Sequence, residues 1–130
     1  MYCLDTNILV DILRGDKVLG SKVNNLMDQG TEFFITPITL CELYRGAHAH
    51  IHRDSKLAEI NSFIINFTLL DFGVASCDNF GKIYFNLKKL GKPVGEFDLI
   101  IASIVKSYDL TLITRNKKDF ENTGAKLEVW

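Results

Sequence analysis

Apolar residues along the chain fall into two kinds of pattern, short continuous runs and longer segments with helical spacing. The runs predict buried strands at 2–4, 33–35, 68–70 and 111–114, and residues 127–130 predict a possible edge strand. The helical spacing predicts helices at 8–13, 19–29, 38–49, 55–65, 74–90 and 97–108. Gly15, Gly30 and Gly91 stand where three of these helices end, and Thr36-Pro37 is a strong helix start.

Short apolar strands that alternate with helices are typical of a parallel sheet covered by helices on both faces. The 130 residues suit one domain, and they contain no internal repeat, low-complexity stretch or linker. We therefore predict a single α/β domain over residues 1–130, with three α/β/α layers and a central, mainly parallel sheet of four to five strands.

Composition and charge narrow the functions that such a domain can have. The net charge of −1 excludes a protein that binds nucleic acid through bulk positive charge, but it allows a local basic surface beside an acidic site. Four lysines near the end of the fifth predicted helix are interpreted as a solvated helix face: Lys82, Lys88, Lys89 and Lys92.

The cysteines and histidines suggest neither disulfides nor a zinc site. Cys3, Cys41 and Cys77 are isolated in apolar sequence, so we expect reduced cysteines in the core of a cytoplasmic protein. His48 and His52 have the spacing of helical metal ligands, but the helix is near its end there, and surface histidines are expected. No apolar run reaches the ~20 residues that cross a bilayer. No basic leader precedes the first strand either, which favours a cytoplasmic location away from membranes.

Three carboxylates stand in sequence that is otherwise apolar, whereas most acidic residues have polar neighbours. Asp5 follows the first strand, Glu42 lies within 38–44, and Asp98 opens 98–105, the most hydrophobic helix. Burying a carboxylate is costly unless it is paired, hydrogen-bonded or bound to a metal. Simpler interpretations exist, because Asp5 could cap the first helix and Asp98 suits the dipole of its own helix.

The order of the elements brings these acids to one edge of the predicted sheet. Helices that follow parallel strands begin at the same edge, where open α/β sheets bind their ligands. Asp119, just beyond the fourth strand, could add a fourth oxygen ligand there. Converging carboxylates repel one another without a cation, and Mg²⁺ or Mn²⁺ accepts such all-oxygen ligation. With Asp5 in that site, we expect Thr6 or Asn7 to cap the first helix.

Four motifs along the chain resemble the PIN domain, and they look most like its VapC-type toxin ribonucleases. They are Leu4-Asp5-Thr6-Asn7, residues 36–43 around Glu42, Asp98-Leu99-Ile100-Ile101-Ala102, and residues 112–116 with Asp119-Phe120. Each motif alone is weak, but the four in family order cover nearly the whole chain. The resemblance implies a PIN fold and a Mg²⁺-dependent endoribonuclease, usually paired with a small antitoxin that occupies its acidic site.

The resemblance also implies roles for individual positions. Asp5, Glu42 and Asp98 would be the catalytic acids and the metal ligands, and Glu42 would orient or deprotonate the attacking water. Asn116 matches the position where the family often has an acid or an asparagine. Asp119 is the nearest carboxylate to that position, so both residues remain candidates for the fourth catalytic group.

Other residues are expected to support these acids or contact the substrate. Arg45 and Arg115 are candidates for binding phosphates, and Thr114 is a candidate for contacting substrate or for orienting a ligand. Tyr44 and Phe97 could stack on bases, although core packing is favoured for both. Three more polar residues are expected beside the metal ligands: Thr6, Asn7 and Glu96.

The expected partners are an RNA substrate, a VapB-like antitoxin that inserts an arginine-bearing segment into the acidic pocket, and a second copy in a homodimer. Two alternatives remain open. One is a PIN-like nuclease that acts on DNA or structured nucleic acid outside a toxin–antitoxin pair. It remains open because no feature of the sequence recognises the 2′-hydroxyl that distinguishes RNA from DNA. The other is a non-catalytic module whose acids bind a partner's arginines, which carboxylates embedded in apolar helices disfavour.

Overall fold

The computed structural model describes residues 1–130 and contains a five-stranded sheet with helices on both faces. The strands are β1 (Tyr2–Leu4), β2 (Phe33–Ile35), β3 (Thr68–Leu69), β4 (Thr111–Thr114) and β5 (Lys126–Val129). They lie in the order β3-β2-β1-β4-β5, and all four pairings are parallel. The predicted three-layer parallel fold is therefore confirmed, and β1 is its central strand.

Seven helices connect and cover these strands. They are α1 (Thr6–Leu13), α2 (Lys17–Asp28), α3 (Pro37–His48), α4 (Arg53–Ile64), α5 (Val74–Leu90), α6 (Glu96–Ser107) and α7 (Lys117–Phe120). Six of them match the predicted helices, and α7 is an addition because its four residues are too few to show helical periodicity. None of these helices combines the length and apolar character that crossing a membrane would require.

The two faces of the sheet carry separate cores, because successive strand residues point to opposite sides. Leu4 and Ile113 belong to the core formed with α1, α3 and α4. Their chain neighbours Cys3 and Leu112 belong to the core formed with α6, the most buried helix. The alternation fixes the register of β1 against β4, where Leu4 pairs with Ile113.

Only one of the three cysteines confirms the expectation of core burial. Cys3 is fully buried, and burial, followed by the nearby Asp5 charge, raises the pKa of its thiol. Cys41 and Cys77 are exposed, so the prediction is wrong for them. Apolar chain neighbours do not specify which face of a helix a residue occupies. In α3 the buried face contains Thr39, Leu43 and Ala47, and Cys41 lies off that stripe.

Candidate active site

The Asp5 carboxylate lies at the end of the central strand and uses both of its oxygens. Oδ1 accepts a hydrogen bond from the Thr6 backbone N–H at 2.8 Å, and Oδ2 accepts one from the Thr114 hydroxyl at 2.8 Å. Asp5 is the N-cap of α1, so the expectation that Thr6 or Asn7 would cap this helix is wrong. The extended backbone that a cap needs occurs at Asp5, the last residue before α1, and one carboxylate serves both as cap and as site residue.

Thr114 orients Asp5 from the end of the neighbouring strand β4. Its hydroxyl donates to Asp5 and accepts a hydrogen bond from the Asn116 N–H at 2.9 Å, while the Asp5 N–H donates to the Ile113 carbonyl at 2.9 Å. Thr114 has no exposed surface, and its hydroxyl is already bonded to Asp5 and Asn116, which favours the alternative role of orienting a ligand over contact with substrate.

Glu42 is held by a series of threonine hydroxyls on α1 and α3. The Thr6 hydroxyl donates to Glu42 Oε1 at 2.7 Å and lies 3.1 Å from the hydroxyl of Thr39. Thr39 in turn contacts the hydroxyl of Thr36, the N-cap of α3. The Thr36 hydroxyl donates to Thr39, and the Thr6 hydroxyl lies within hydrogen-bond distance of both Thr39 and Glu42, so the three threonines form one hydroxyl series that ends at the half-buried Glu42 carboxylate.

Asp98 lies in the first turn of α6, half-buried at the same edge of the sheet. Helix α6 leads into the start of β4, so its own first turn lies at the opposite edge, where the parallel strands end. Burial is the main reason that the pKa of Asp98 rises to about 6, and the charges of Asp119, Asp5 and Glu42 raise it further. The pKa of Asp5 is also raised, chiefly by burial and against the hydrogen bonds from Thr114 and Thr6, with Glu42 and Asp119 adding to the increase.

The fourth carboxylate of this cluster is Asp119, which α7 carries. Its charge acts on both Asp5 and Asp98, whereas Asn116 is exposed and contributes a backbone N–H to Thr114. Sequence periodicity missed α7, but Asn116 before it and the buried Phe120 within it were signals of a short capped helix. We define the acidic cluster as Asp5, Glu42, Asp98 and Asp119.

Of the three polar residues predicted beside the metal ligands, only one forms a hydrogen bond with this cluster. Thr6 is buried and bonded to Glu42, as described above. Asn7 in the first turn of α1 and Glu96 at the start of α6 are exposed, and the structure gives neither a hydrogen bond to the cluster. Glu96 is also absent from the charges that raise the pKa of Asp5 and Asp98.

Two arginines predicted to bind substrate have different surroundings. The Arg45 guanidinium lies over the ring of Phe97, 5.5 Å from the ring centroid, and so spans from α3 to the start of α6. Phe97 is 43% exposed rather than packed in the core, which overturns the favoured interpretation for this ring. Arg115 instead binds Asp11 at 2.8 Å and Asp16 at 3.0 Å, so its guanidinium already has two carboxylate partners.

The chemistry of the acidic cluster fits a hard divalent cation. Its donors are all carboxylate oxygens, the charges of Glu42 and Asp119 help to raise the pKa of Asp5 and Asp98, and no arginine or lysine of the chain forms an ion pair with the four acids. No three Asp, Glu, His or Cys side chains form a ready-made metal cage. Mg²⁺ is usually held by one or two carboxylates and keeps several waters, so carboxylates of this kind could hold it without a cage of three side chains.

Comparison with known proteins agrees with this geometry. The model of the PIN domain matches residues 2–126 of the chain. The chain belongs to the PIN-domain family. It is 33% identical to the tRNA(fMet)-specific endonuclease VapC of Shigella flexneri and 31% identical to ribonuclease VapC2 of Haemophilus influenzae. In both cases the alignment covers 99% of this chain and 97% of the relative.

Solved structures of PIN-domain toxin–antitoxin complexes share the fold over almost the whole chain. VapBC2 from Rickettsia felis, bound to a DNA fragment from its promoter, superposes with a TM-score of 0.93 and 26% identity, covering 99% of this chain and 98% of that one. DNA-bound VapBC from Salmonella typhimurium gives a TM-score of 0.91 and 29% identity, covering 99% and 97%. The PIN domain here therefore has VapC proteins as its relatives in both sequence and structure.

Proposed function

We propose that this PIN-domain protein is a VapC-type ribonuclease, a Mg²⁺-dependent endoribonuclease that acts as the toxin of a toxin–antitoxin pair in the cytoplasm. The observation that carries the proposal is the acidic cluster, in which burial and mutual repulsion raise the pKa of Asp5 and Asp98. The names of the relatives, which are ribonucleases and a tRNA endonuclease, support RNA as the substrate.

The roles of the acids follow from their surroundings. Asp5 and Asp98 would hold the cation, and Asp119 would complete its coordination, either directly or through a bound water. When bound, Mg²⁺ lowers the pKa of the attacking water and stabilises negative charge on the phosphoryl oxygens. Glu42 keeps one oxygen on the Thr6 hydroxyl, so its other oxygen is free to orient that water and accept its proton. Thr114 keeps the Asp5 carboxylate from rotating.

Arg45 and Phe97 lie beside the acidic cluster on the two helices that carry Glu42 and Asp98. Stacking holds the guanidinium plane in place without a carboxylate partner, so its N–H groups remain free for a phosphate oxygen. The exposed part of the Phe97 ring offers a surface for an unpaired base. Arg45 therefore remains the proposed substrate-binding cation, and Arg115 has a structural role.

A VapB-like antitoxin is the proposed inhibitor, because the similar solved structures are VapBC complexes. A groove of about 410 Å³ between α1, α3 and α4 has apolar walls that include Val10, Leu13 and Leu43, and it reaches Glu42. An arginine carried along this groove would meet the acidic cluster. An antitoxin peptide should bind the wild type more tightly than an Asp5→Ala/Asp98→Ala variant, and equal affinity for both proteins would contradict this model. The family resemblance further suggests a homodimer, which sedimentation analysis would test.

The deciding experiment is cleavage of RNA by the purified chain with Mg²⁺, with EDTA and with the variant Asp5→Ala. We expect cleavage with Mg²⁺ and its loss in the other two conditions, with Asp28→Ala, an exposed residue on α2, as the matched control. Cleavage that survives both EDTA and Asp5→Ala would exclude the proposed mechanism. Equal cleavage of a DNA oligonucleotide would favour the broader nuclease instead.

A further inference from the structure

A polar groove of about 480 Å³ runs along α5, outside the acidic cluster. One wall is α5, and the other is formed by the end of α6 and the loop that follows α7. We define the basic groove by its six polar side chains with an amide or ammonium group: Asn79, Lys82, Asn86, Lys89, Lys106 and Asn122. No carboxylate lines it, although the chain as a whole is slightly acidic.

The α5 wall presents amides and ammonium groups in alternation. Asn79, Lys82, Asn86 and Lys89 are spaced three, four and three residues apart, which places them on one face of the helix. Lys82 and Lys89 are two turns apart, about 10.5 Å along the helix axis, so they would meet different phosphates of a strand lying in the groove. Between residues 79 and 95 the chain has four lysines and no acidic residue.

Lys106 projects into the opposite wall, where a glycine makes room for it. A Cβ atom added at Gly124 would lie 3.0 Å from the Lys106 Nζ atom, and Gly124 has a positive φ of +76°. Only glycine combines that backbone conformation with the space that the ammonium group occupies. The Lys106 charge is thus seated at the loop beside Asn122.

Of the three lysines in the basic groove, only Lys82 forms an ion pair with a carboxylate of the protein. Lys82 pairs with Asp78 at 2.8 Å, but both side chains are mostly exposed, and such a pair exchanges for another anion at little cost. The Lys89 Nζ atom lies 5.3 Å from the centroid of the exposed Phe85 ring. It forms no ion pair with a carboxylate. The Asn79 amide donates to the Ser103 carbonyl at 3.4 Å and ties α5 to α6.

The two walls of the basic groove continue along the chain into segments that carry acids of the cluster. Helix α5 ends at Leu90, one of the lining residues, and a short loop then leads to Asp98 at the start of α6. On the other side, Asn122 follows Asp119 by three residues. A strand that extends beyond the Leu90 end of the groove would therefore approach the segments that carry two of the four carboxylates.

We propose that the basic groove binds the ribose–phosphate backbone of single-stranded RNA beside the scissile phosphate, an inference that rests on the proposed function. Ammonium groups bind phosphates, and amides both donate to and accept from ribose hydroxyls, a combination that suits RNA more than DNA. An acidic protein partner would use the lysines but would have no need of the amides.

The test measures binding separately from cleavage. A fluorescein-labelled RNA dodecamer of mixed sequence is titrated in EDTA by fluorescence anisotropy at several salt concentrations. Replacing both Lys89 and Lys106 by Gln should reduce the magnitude of the negative slope of log K against log [salt] by about 1.4, since each phosphate contact on a single strand contributes about 0.7. The matched control replaces Lys17 and Lys22 by Gln, two exposed lysines of α2, and should keep the wild-type slope.

Each outcome decides one of the two proposals. An unchanged slope in the Lys89→Gln/Lys106→Gln variant, or an equal loss of slope in the α2 control, overturns the basic groove as the RNA site. Equal affinity of the wild type for the DNA oligonucleotide of the same sequence overturns its assignment to RNA. Absence of Mg²⁺-dependent cleavage by the wild type overturns the proposed function alone, because the anisotropy assay does not depend on catalysis.

Discussion

At the scale of single residues, Asp5 combines two functions that a sequence reading treats as alternatives. One oxygen caps α1 and the other is oriented by Thr114. Both bonds oppose the rise in pKa that burial causes, so they help to keep the carboxylate ionised. The capping interaction therefore supports the proposed metal site, because it fixes a buried negative charge in place.

Replacing Asp5 by Asn should separate stability from activity. The amide oxygen can still accept from the Thr6 N–H, and the substitution removes a buried charge, so we expect the free energy of unfolding to change by less than about 1 kcal/mol. RNA cleavage should fall by about 100-fold or more, because a ligand of the cation is lost. Denaturant unfolding and a cleavage assay measure the two effects, with Asp28→Asn as the control. Cleavage within tenfold of the wild type would remove Asp5 from the site.

Asp98 should make the metal-free protein less stable at neutral pH. Its pKa is about 6 in the folded protein and near 3.8 when unfolded. Between pH 3.8 and 6 the Asp98 carboxyl is therefore mostly protonated in the folded state and mostly ionised in the unfolded state. Stability from this group is therefore present below about pH 4 and is lost as the pH rises through 6. In EDTA, Asp98→Asn should be more stable than the wild type by about 1 kcal/mol at pH 7.5 after screening by solvent.

That difference between Asp98→Asn and the wild type should nearly vanish at about pH 3, which lies below both pKa values, so that Asp98 is largely protonated in the folded and the unfolded protein. Glu96→Gln, two residues earlier and exposed, serves as the control that tracks the wild type. A difference that is the same at both pH values would show that charge repulsion is not its cause.

The acids of the site were predictable as single residues, and Thr6 and Thr114 were predicted as supporting residues, but which acid each threonine would hold was not predictable. A carboxylate in apolar sequence is an anomaly that can be recognised directly, and Asp5, Glu42 and Asp98 are such cases. Thr6 and Thr114 look ordinary in sequence, and their bonds to the acids depend on how β4 and α3 lie against β1. The positions of Asn116 and Asp119 relative to the other acids likewise depend on α7.

At the scale of elements, the N-cap of α3 determines where Glu42 lies. The Thr36 hydroxyl accepts a hydrogen bond from the Thr39 N–H at 3.2 Å and also begins the hydroxyl series that ends on Glu42. The cap is therefore both a source of helix stability and part of the support for a proposed catalytic group.

Replacing Thr36 by Ala should lower the free energy of unfolding by about 1 kcal/mol, the usual cost of losing an N-cap. We also expect a several-fold loss of RNA cleavage at saturating substrate, because the hydroxyl series loses its first member. Thr36→Ser retains the hydroxyl and should retain both properties in thermal unfolding and kinetic assays. Full activity in the destabilised Ala variant would mean that Glu42 does not depend on this support.

The strands and the longer helices were predictable because burial imposes a period on them. Short runs of apolar or β-branched residues indicated β1, β2 and β4, which are covered by helices on both faces. Strand β5 was predicted one residue late, at 127–130, because its exposed edge position leaves little apolar pattern. The short helix α7 has one buried residue, Phe120, and a single residue shows no period.

At the scale of the whole molecule, binding of Mg²⁺ should stabilise the fold, because a cation that binds only the folded protein shifts unfolding by mass action. At a tenfold excess over its Kd, the gain is about 1.4 kcal/mol, or about 3 to 5 °C in Tm. A double variant, Asp5→Asn with Asp98→Asn, should show no such increase. Calorimetry with Mg²⁺ and with EDTA measures it, and an equal increase in the double variant would place the cation elsewhere.

The hydrogen bond from Thr114 to Asp5 joins residues 109 positions apart, and β1 has no neighbour on that side until β4 is present. Translation at ~5–20 residues per second delivers Asp5 roughly 5 to 20 s before Thr114. A nascent or truncated chain that stops before Thr114 lacks the hydroxyl that orients Asp5, and it lacks Asp119 as well. The topology thus delays the assembly of the active site until synthesis is nearly finished, which would give the proposed antitoxin time to be present first.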